Sequence, residues 1–301
     1  MTSALPPLDA SSLRAALLAP SGAYARVDVV PETGSTNADL MAAAANDDAG
    51  WPDLSVLLTD SQVGGRGRLD RSWTAPAGSS MISSVLLRPT NRGAALPMRA
   101  YGWFSVLAAI ALVDALAAET GTQPALKWPN DVVLNGRKIS GILAQLVPAQ
   151  PGAASGAPTP PAVVVGIGTN VHQSRAQLPV DTATSLVLEG AATLDRHILL
   201  PAFLNRFAAL YAQFCAVSGD ASAPLPGGLS VRALATGRMA TLGVGVRAEL
   251  PGGQMLTGLA EGLDADGSLL IRDAAGTLHT VSAGDVVHLR RDASDGGSAY
   301  A

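Results

Sequence analysis

Apolar positions along this chain follow two periods, and the change from one to the other marks its elements. Short runs rich in Val, Leu and Ile at residues 26–30, 54–59, 81–88 and 163–167 end in turn-forming residues and predict strands. Longer apolar runs at residues 36–46, 98–120 and 199–217 predict helices. In the last of these, Phe203, Phe207, Leu210, Tyr211 and Phe214 fall on one stripe that faces a core. Residues 132–134 and 138–147 flank Asn135-Gly136, a dipeptide suited to the type I′ hairpin turn because both positions take φ > 0. After residue 240 the pattern changes. Short runs at residues 240–250, 254–261, 268–271, 280–281 and 286–289 alternate with Gly/Asp turns and predict a small all-β barrel.

Between these elements lie stretches of a different character. Residues 1–20 are rich in Pro, Ser and Ala, with one short helix expected at residues 12–18. Residues 148–161 are low-complexity and read as an insert, and residues 218–230 read as a linker. The expected organisation is a lead (1–24), a main domain (25–218), a linker (219–230), a β domain (231–292) and a tail (293–301). Consecutive strands joined by hairpins predict an α+β fold, with an antiparallel or mixed sheet and helices to one side.

Composition narrows the class. With 301 residues, 48% apolar and 15% charged, the chain can bury one large core and a small one. A formal charge of −4 argues against a general nucleic-acid binder, which carries a basic face. The single Cys215 excludes an internal disulfide, fits a reducing, cytoplasmic setting and is read as a packing residue. His172, His197, His279 and His288 are scattered without metal-ligand spacing. The N-terminus carries Asp9 and Arg14 inside its apolar stretches and shows no targeting signal. The apolar run at 101–113 continues through Asp114, which favours a buried core helix over a membrane span.

Four blocks carry candidate chemistry. Residues 60–73, DSQVGGRGRLDRSW, place three glycines among three arginines after a strand. The glycines let backbone N–H groups approach a ligand, and each guanidinium is a fork for carboxylate or phosphate. The same loop is equally consistent with a solvated turn. Residues 126–146, LKWPNDVVLNGRKISGILAQL, contain both lysines of a chain that otherwise uses 18 arginines for positive charge. Lysine is a compact point charge that Arg does not replace at many sites. Residues 163–171 form a strand ending in Gly166, Gly168 and Asn170. Residues 32–40 open a helix, where Ser35 or Thr36 caps and Thr36 with Asp39 has capping-box spacing; a helix start is also an anion site.

In this order the blocks resemble the biotin protein ligase family. The matching residues are Ser35-Thr36-Asn37; Gln62, Gly65-Arg66-Gly67-Arg68 and Trp73; Lys127-Trp128-Pro129-Asn130-Asp131 with residues 138–143; and Gly166 to Asn170. The resemblance covers about residues 25–215, with a weaker echo of an SH3-like domain beyond. It implies a catalytic fold related to class II aminoacyl-tRNA synthetases. It also implies formation of biotinyl-5′-AMP from biotin and ATP, then transfer of biotin to a lysine of a biotin carboxyl carrier domain of acetyl-CoA carboxylase or a related carboxylase. No GxxxxGK[ST] P-loop is present.

The resemblance assigns roles residue by residue. Ser35, Thr36, Asn37 and Gln62 would contact biotin. Arg66, Gly67 and Arg68 would fold over the carboxylate and the adenylate phosphate, and Lys127 would stabilise charge at the reacting atoms. Gly65, Arg71, Trp73, Asn130 and Asn170 would lie near ATP, with Asp131 a candidate Mg²⁺ ligand. Gly141, Gly166 and Gly168 would allow close approach to biotin. Trp73 is equally read as a packing residue, and Lys138 as a second phosphate contact or a solvated strand residue. Bifunctional members add a winged helix-turn-helix; with 25 residues before Arg26, the expectation here is the ligase-only class, with no DNA and no membrane as partners. A homo-oligomer is left open. Two alternatives fit the blocks less well. A lipoate ligase of the same fold normally carries a different arginine-glycine motif. A non-catalytic biotin-binding module is disfavoured by the intact Lys127 and arginines.

Overall fold

The computed structural model describes residues 5–47, 49–68, 71–147, 161–250, 253–282 and 285–288. The expected insert at 148–161, apart from Pro161, and the expected tail at 293–301 lie outside the described residues.

Helix α1 (Ala10–Leu17) starts where the Asp9 carboxylate accepts the Ser11 and Ser12 amides. Next come β1 (Arg26–Thr33), α2 (Thr36–Asn46), β2 (Ser55–Gln62), the two-residue strands β3 (Gly65–Arg66) and β4 (Ser72–Trp73), and β5 (Ser80–Leu87). The short pair β6 (Thr90–Asn91) and β7 (Ala94–Ala95) leads into α3 (Trp103–Thr120). Then follow β8 (Ala125–Lys127), β9 (Asp131–Leu134), β10 (Arg137–Val147), β11 (Ala162–Asn170), α4 (Arg196–Ala216) and α5 (Val231–Thr236). The chain continues as β12 (Gly245–Glu249), β13 (Met255–Leu263), β14 (Leu269–Arg272), β15 (Leu278–Val281) and β16 (Asp285–His288).

Seven strands form one mixed sheet in the order β1-β2-β5-β11-β10-β9-β8. Only β1 and β2 run parallel; their connection is α2. The last five strands form a separate antiparallel sheet in the order β15-β14-β13-β12-β16. This is an α+β fold of the class II synthetase type with a C-terminal β domain.

The helices do not all lie to one side of the sheet. Helices α1, α3 and α4 cover one face, where Leu13, Leu17, Phe104, Leu107, Phe203 and Phe207 meet Val56, Val85, Val165 and Ile167. Helix α2 covers part of the other, where Leu40 and Ala44 meet Leu57, Leu86 and Val164. The alternation of strand side chains serves both faces: odd positions of β5 and β11 point to α3, and even positions to α2. Helices α3 and α4 have the length and apolarity of membrane spans, but they pack on each other and α3 is almost wholly buried. The predicted stripe on α4 is core, with Leu210 only partly buried. Cys215 is buried there, and burial pushes its thiol up to about 11, so it packs rather than reacts.

Several boundaries differ from the sequence reading. The region from residue 231 was expected to be all β, yet it opens with α5, capped by Ser230 and packed on α3 through Val231 and Ala235. The expected linker is laid on the core by Ala221 and Leu225. The hairpin turn is as expected: Asn135 has φ 51° and Gly136 φ 74°.

Val147 and Ala162 are register partners, so a short connection spans from β10 to β11. Replacing residues 149–160 with a brief Gly-Ser loop is expected to change stability by less than about 1 kcal/mol, because closure entropy varies slowly with length. A thermal melt and an adenylation assay check this; a large loss in either would give the insert a packing or gating role.

A second prediction concerns Glu189, whose side chain is 4% exposed. It accepts from Asn135 Nδ2 at 2.6 Å and Arg137 Nη2 at 2.9 Å, tying the hairpin turn to the 184–189 loop. Burial pushes this carboxyl up, but donation from Thr184, Asn135 and Arg137 outweighs it and holds it below the ordinary range. A depressed folded-state value gives stability that is present above the unfolded-state pKa of about 4.3 and lost as pH falls. Glu189→Gln is therefore expected to cost about 1–3 kcal/mol at pH 7, with the gap to wild type narrowing at acidic pH. Urea midpoints at the two pH values measure it; a constant gap would remove the ionic contribution.

Candidate active site

The site begins with the register of the sheet. Lys127 pairs with Asp131, Asp131 with Gly141, and Gly141 with Gly168. Directly opposed residues of antiparallel strands project to the same face. A β-carbon on Gly168 would lie 2.5 Å from the Trp73 indole, and one on Gly141 3.5 Å from it. The row Lys127–Asp131–Gly141–Gly168 therefore faces Trp73. In β10, alternation would put Lys138 and Gly141 on opposite faces. A bulge between Lys138 and Ser140 re-phases the strand, and Lys138 Nζ comes to 2.6 Å from Asp131 Oδ1 on the Trp73 side. Lys138 is thus paired rather than solvated. Its backbone is clamped as well, donating to Thr182 O and accepting from Thr184 N, both at 2.8 Å.

Next to this row lies a polar patch under α2. Ser35 caps the helix, and the capping box anticipated for Thr36 and Asp39 is absent; Asp39 instead accepts from Thr33 Oγ1. This frees Thr36 and Asn37 to point at the sheet, and both are buried. Gln62 Oε1 accepts from the Thr36 amide at 2.7 Å and its hydroxyl at 2.9 Å. Asn37 Nδ2 donates to Leu143 O at 3.1 Å and Gln145 Oε1 at 2.8 Å, and Ser84 Oγ lies 2.6 Å from Asn37 Oδ1. A β-carbon at Gly166 would fall 2.1 Å from Asn37 Oδ1, so this glycine seats the asparagine. Gly168 in the same way seats Trp73. Both were expected to admit a ligand; in this structure each admits a side chain. Ser84 and Gln145 were missed in the sequence. Their signal was the polar residue inside an otherwise apolar strand.

The arginine loop is a small hairpin. β3 pairs with β4, placing Gly65 opposite Trp73 and Arg66 opposite Ser72. Gly67 N donates to Arg71 O at 2.6 Å. Arg68 Nη1 donates to Asn130 Oδ1 at 3.2 Å, and Asn130 Nδ2 donates to Ile142 O at 2.7 Å. Asn130 thereby ties the loop to β10. Beyond Ile142, which Asn130 still bonds, no strand pairs with this edge of β10 among the described residues. A cleft of about 470 Å³ runs along this edge, lined by Arg66, Gly67, Arg68, Pro129, Asn130 and residues 142–145, with Gly102, Ser105 and Ser282 closing it. The last three were not anticipated.

Two predicted residues stand elsewhere. Asn170 is buried, with Nδ2 donating to Thr184 O at 2.9 Å and Oδ1 accepting from Gln173 Nε2 at 3.0 Å. Both ends of its amide secure the loop after β11, and it does not line the cleft. Arg71 is exposed and lies just before the return strand of the hairpin. Asp131, the candidate Mg²⁺ ligand, is engaged by Lys138. Among the described residues no group of three or more His, Cys, Asp or Glu could hold a metal.

A mixed sheet with one helix-capped polar face, two lysines on that face and a guanidinium hairpin in place of a P-loop makes a class II synthetase-like fold with a candidate anion site. Comparison with known proteins narrows the class. The biotin/lipoate A/B protein ligase family model matches residues 33–155, and the biotin protein ligase C-terminal domain model matches residues 241–289. The biotin–[acetyl-CoA-carboxylase] ligase of Mycobacterium tuberculosis is 39% identical over 288 residues, spanning 95% of this chain and 97% of that protein. The enzyme of that name from Paracoccus denitrificans is 32% identical over 250 residues, spanning 82% and 95%. The solved structure of the Aquifex aeolicus biotin protein ligase in complex with biotin and ATP matches with a TM-score of 0.66 at 24% identity, over 89% of this chain and 100% of that one, and bears on fold alone. The chain belongs to the biotin protein ligase family.

Proposed function

We propose that this protein activates biotin with ATP and transfers it to a lysine of a biotin carboxyl carrier domain. A biotin carboxylate oxygen attacks the α-phosphorus of ATP, the bond to the β-phosphate breaks, and pyrophosphate leaves. The amine of the carrier lysine then attacks the acyl carbon of biotinyl-5′-AMP, AMP leaves, and the amine loses a proton. The first step joins two anions, so fixed positive charge and positioning are what the protein must supply.

The observation that carries this reading is the register row, which puts Lys127 and Lys138 on the face that Trp73 covers, beside the Arg66–Arg68 hairpin. Ser35, Thr36, Asn37 and Gln62 form the polar floor for the ureido group. Arg66, exposed at the cleft, meets the carboxylate and phosphate as they arrive. Trp73 Nε1 is buried with no acceptor among the described residues, a state that costs about 1–3 kcal/mol and that an oxygen of the bound adenylate would relieve. Mg²⁺ enters with ATP as part of the substrate, since the residues at hand do not make a resident cage. Relatives named for acetyl-CoA carboxylase support a carrier domain of that enzyme as the acceptor.

The test is pyrophosphate release with biotin, lipoate and octanoate in parallel. Release with biotin alone is expected. Release with lipoate or octanoate and none with biotin would replace the reading by lipoyl transfer.

A further inference from the structure

The loop that carries Lys127 and Asn130 is held from outside the main sheet. Leu126 N donates to Arg238 O and Leu126 O accepts from Ala240 N, both at 2.8 Å. Trp128 N donates to the buried Thr241 Oγ1 at 2.9 Å. Lys127 is thus bracketed by two residues whose backbones are bonded to the start of the C-terminal domain. A further tie comes from the turn between β13 and β14. Gly267 O accepts from the Trp128 indole at 3.0 Å, and Ala265 O accepts from the Trp103 indole at 3.0 Å.

Two features show that this turn is built to face the indoles. Asp264 Oδ1 accepts from the Asp266 and Ser268 amides, each at 2.9 Å, which fixes the carbonyls outward. Gly267 has φ +84°, and a β-carbon there would meet the Trp103 ring at 3.4 Å. Trp103 is fully buried at the start of α3, and the neighbouring Gly102 lines the cleft. None of the four blocks with candidate chemistry includes Trp103, Asp264 or Gly267.

We propose that Trp103 and the turn at residues 264–267 form a clasp through which the C-terminal domain positions residues 127–130 for adenylate formation. Trp103 is a positioning residue: it belongs to the helix-side core rather than to the register row or the polar floor. Its indole N–H anchors Ala265, the turn anchors Trp128, and Trp128 sets the backbone from which Lys127 joins the register row and Asn130 lines the cleft. A small misplacement of such a group is felt in the chemical step rather than in substrate entry.

This inference rests on the proposed biotin activation, and the experiment separates the two. Trp103→Phe keeps the ring and removes the N–H. Asp264→Ala unties the turn from its other end, and Asp264→Asn keeps the accepting oxygen. Steady-state pyrophosphate release is measured for each, with a thermal melt alongside. Trp103→Phe and Asp264→Ala are expected to lower kcat about tenfold with the biotin KM within about twofold, and Asp264→Asn is expected to match wild type. Folded variants with unchanged kcat, or an Asn variant as impaired as the Ala variant, would overturn the clasp. If Trp103→Phe fails to fold, the Asp264 pair decides. If wild type releases no pyrophosphate from biotin and ATP, the functional reading fails by itself. The clasp is then judged by amide exchange at residues 126–130, which should be faster in the Asp264→Ala variant; exchange equal to wild type would remove it.

Discussion

Lys127→Ala is expected to lower the single-turnover rate of adenylate formation by about 10²- to 10³-fold, the cost typical of removing one preorganised charge from the transition state. The fold should be retained, because Lys127 lies at the end of a short edge strand and is only half-buried. Its neighbours Leu126 and Trp128 provide the apolar anchoring of that strand and are untouched. Substrate binding should suffer less than the rate, since in the proposed reaction the charge that Lys127 would meet grows only as the carboxylate approaches the α-phosphorus. The comparison that gives the result meaning is Lys138→Ala. Lys138 Nζ stands on the same face but is held 2.6 Å from Asp131, so its loss also leaves that carboxylate without its partner. Near-wild-type adenylation by a folded Lys127→Ala protein, with the rate lost in Lys138→Ala, would transfer the role to Lys138.

The second large effect is expected from Arg68→Gly. Arg68 is the side chain that fastens the hairpin to Asn130, and Asn130 in turn is bonded to β10 through Ile142. With the guanidinium gone, the hairpin keeps its own β3–β4 pairing but loses its tie across the cleft. On the proposed role of Arg68, charge-assisted bonds to the adenylate phosphate would be lost at the same time. Dissociation of biotinyl-5′-AMP should rise by about 10- to 100-fold, the equivalent of one such bond or two. Biotin entry should change less, because the polar floor at Thr36, Asn37 and Gln62 does not involve Arg68. A mixed anhydride released into solution acylates exposed lysines without selection, so the variant should label bystander proteins. Hydrogen exchange over the hairpin, with and without biotin plus ATP, gives the second readout. Exchange unchanged by ligand, together with no bystander labelling from a variant that still adenylates, would leave the loop as a static anion site.

Much of the architecture was legible from periodicity. Residues 36–46 form the expected helix without a change of boundary, and the Asn135-Gly136 turn has the two positive φ values that its residues favour. Local preferences decide such features: an N-capping serine favours a helix start by accepting an amide of the first turn, and a two-residue I′ turn sets its own register. The helix at residues 231–236 was missed for the opposite reason. It is a single short stretch whose Val231 and Ala235 are helical because α3 offers them a surface.

The candidate site divides along the same line. The sequence by itself determined which residue types are present: two lysines in one segment, three arginines among glycines, and a Ser-Thr-Asn helix start. It also determined the family. Where those groups meet was decided by the tertiary structure. The bulge in β10 turns Lys138 toward Asp131, against the alternation of the strand. Gly166 and Gly168 gained their meaning from Asn37 and Trp73, residues far away in sequence. Asn170, which the motif alone would place near ATP, has both ends of its amide bonded within the fold. The tie between Trp103 and Ala265 joins residues 162 positions apart and has no local signature. Propensity and capping act within a few residues of the chain, whereas register, close packing and long-range hydrogen bonds exist only once strands and helices are assembled.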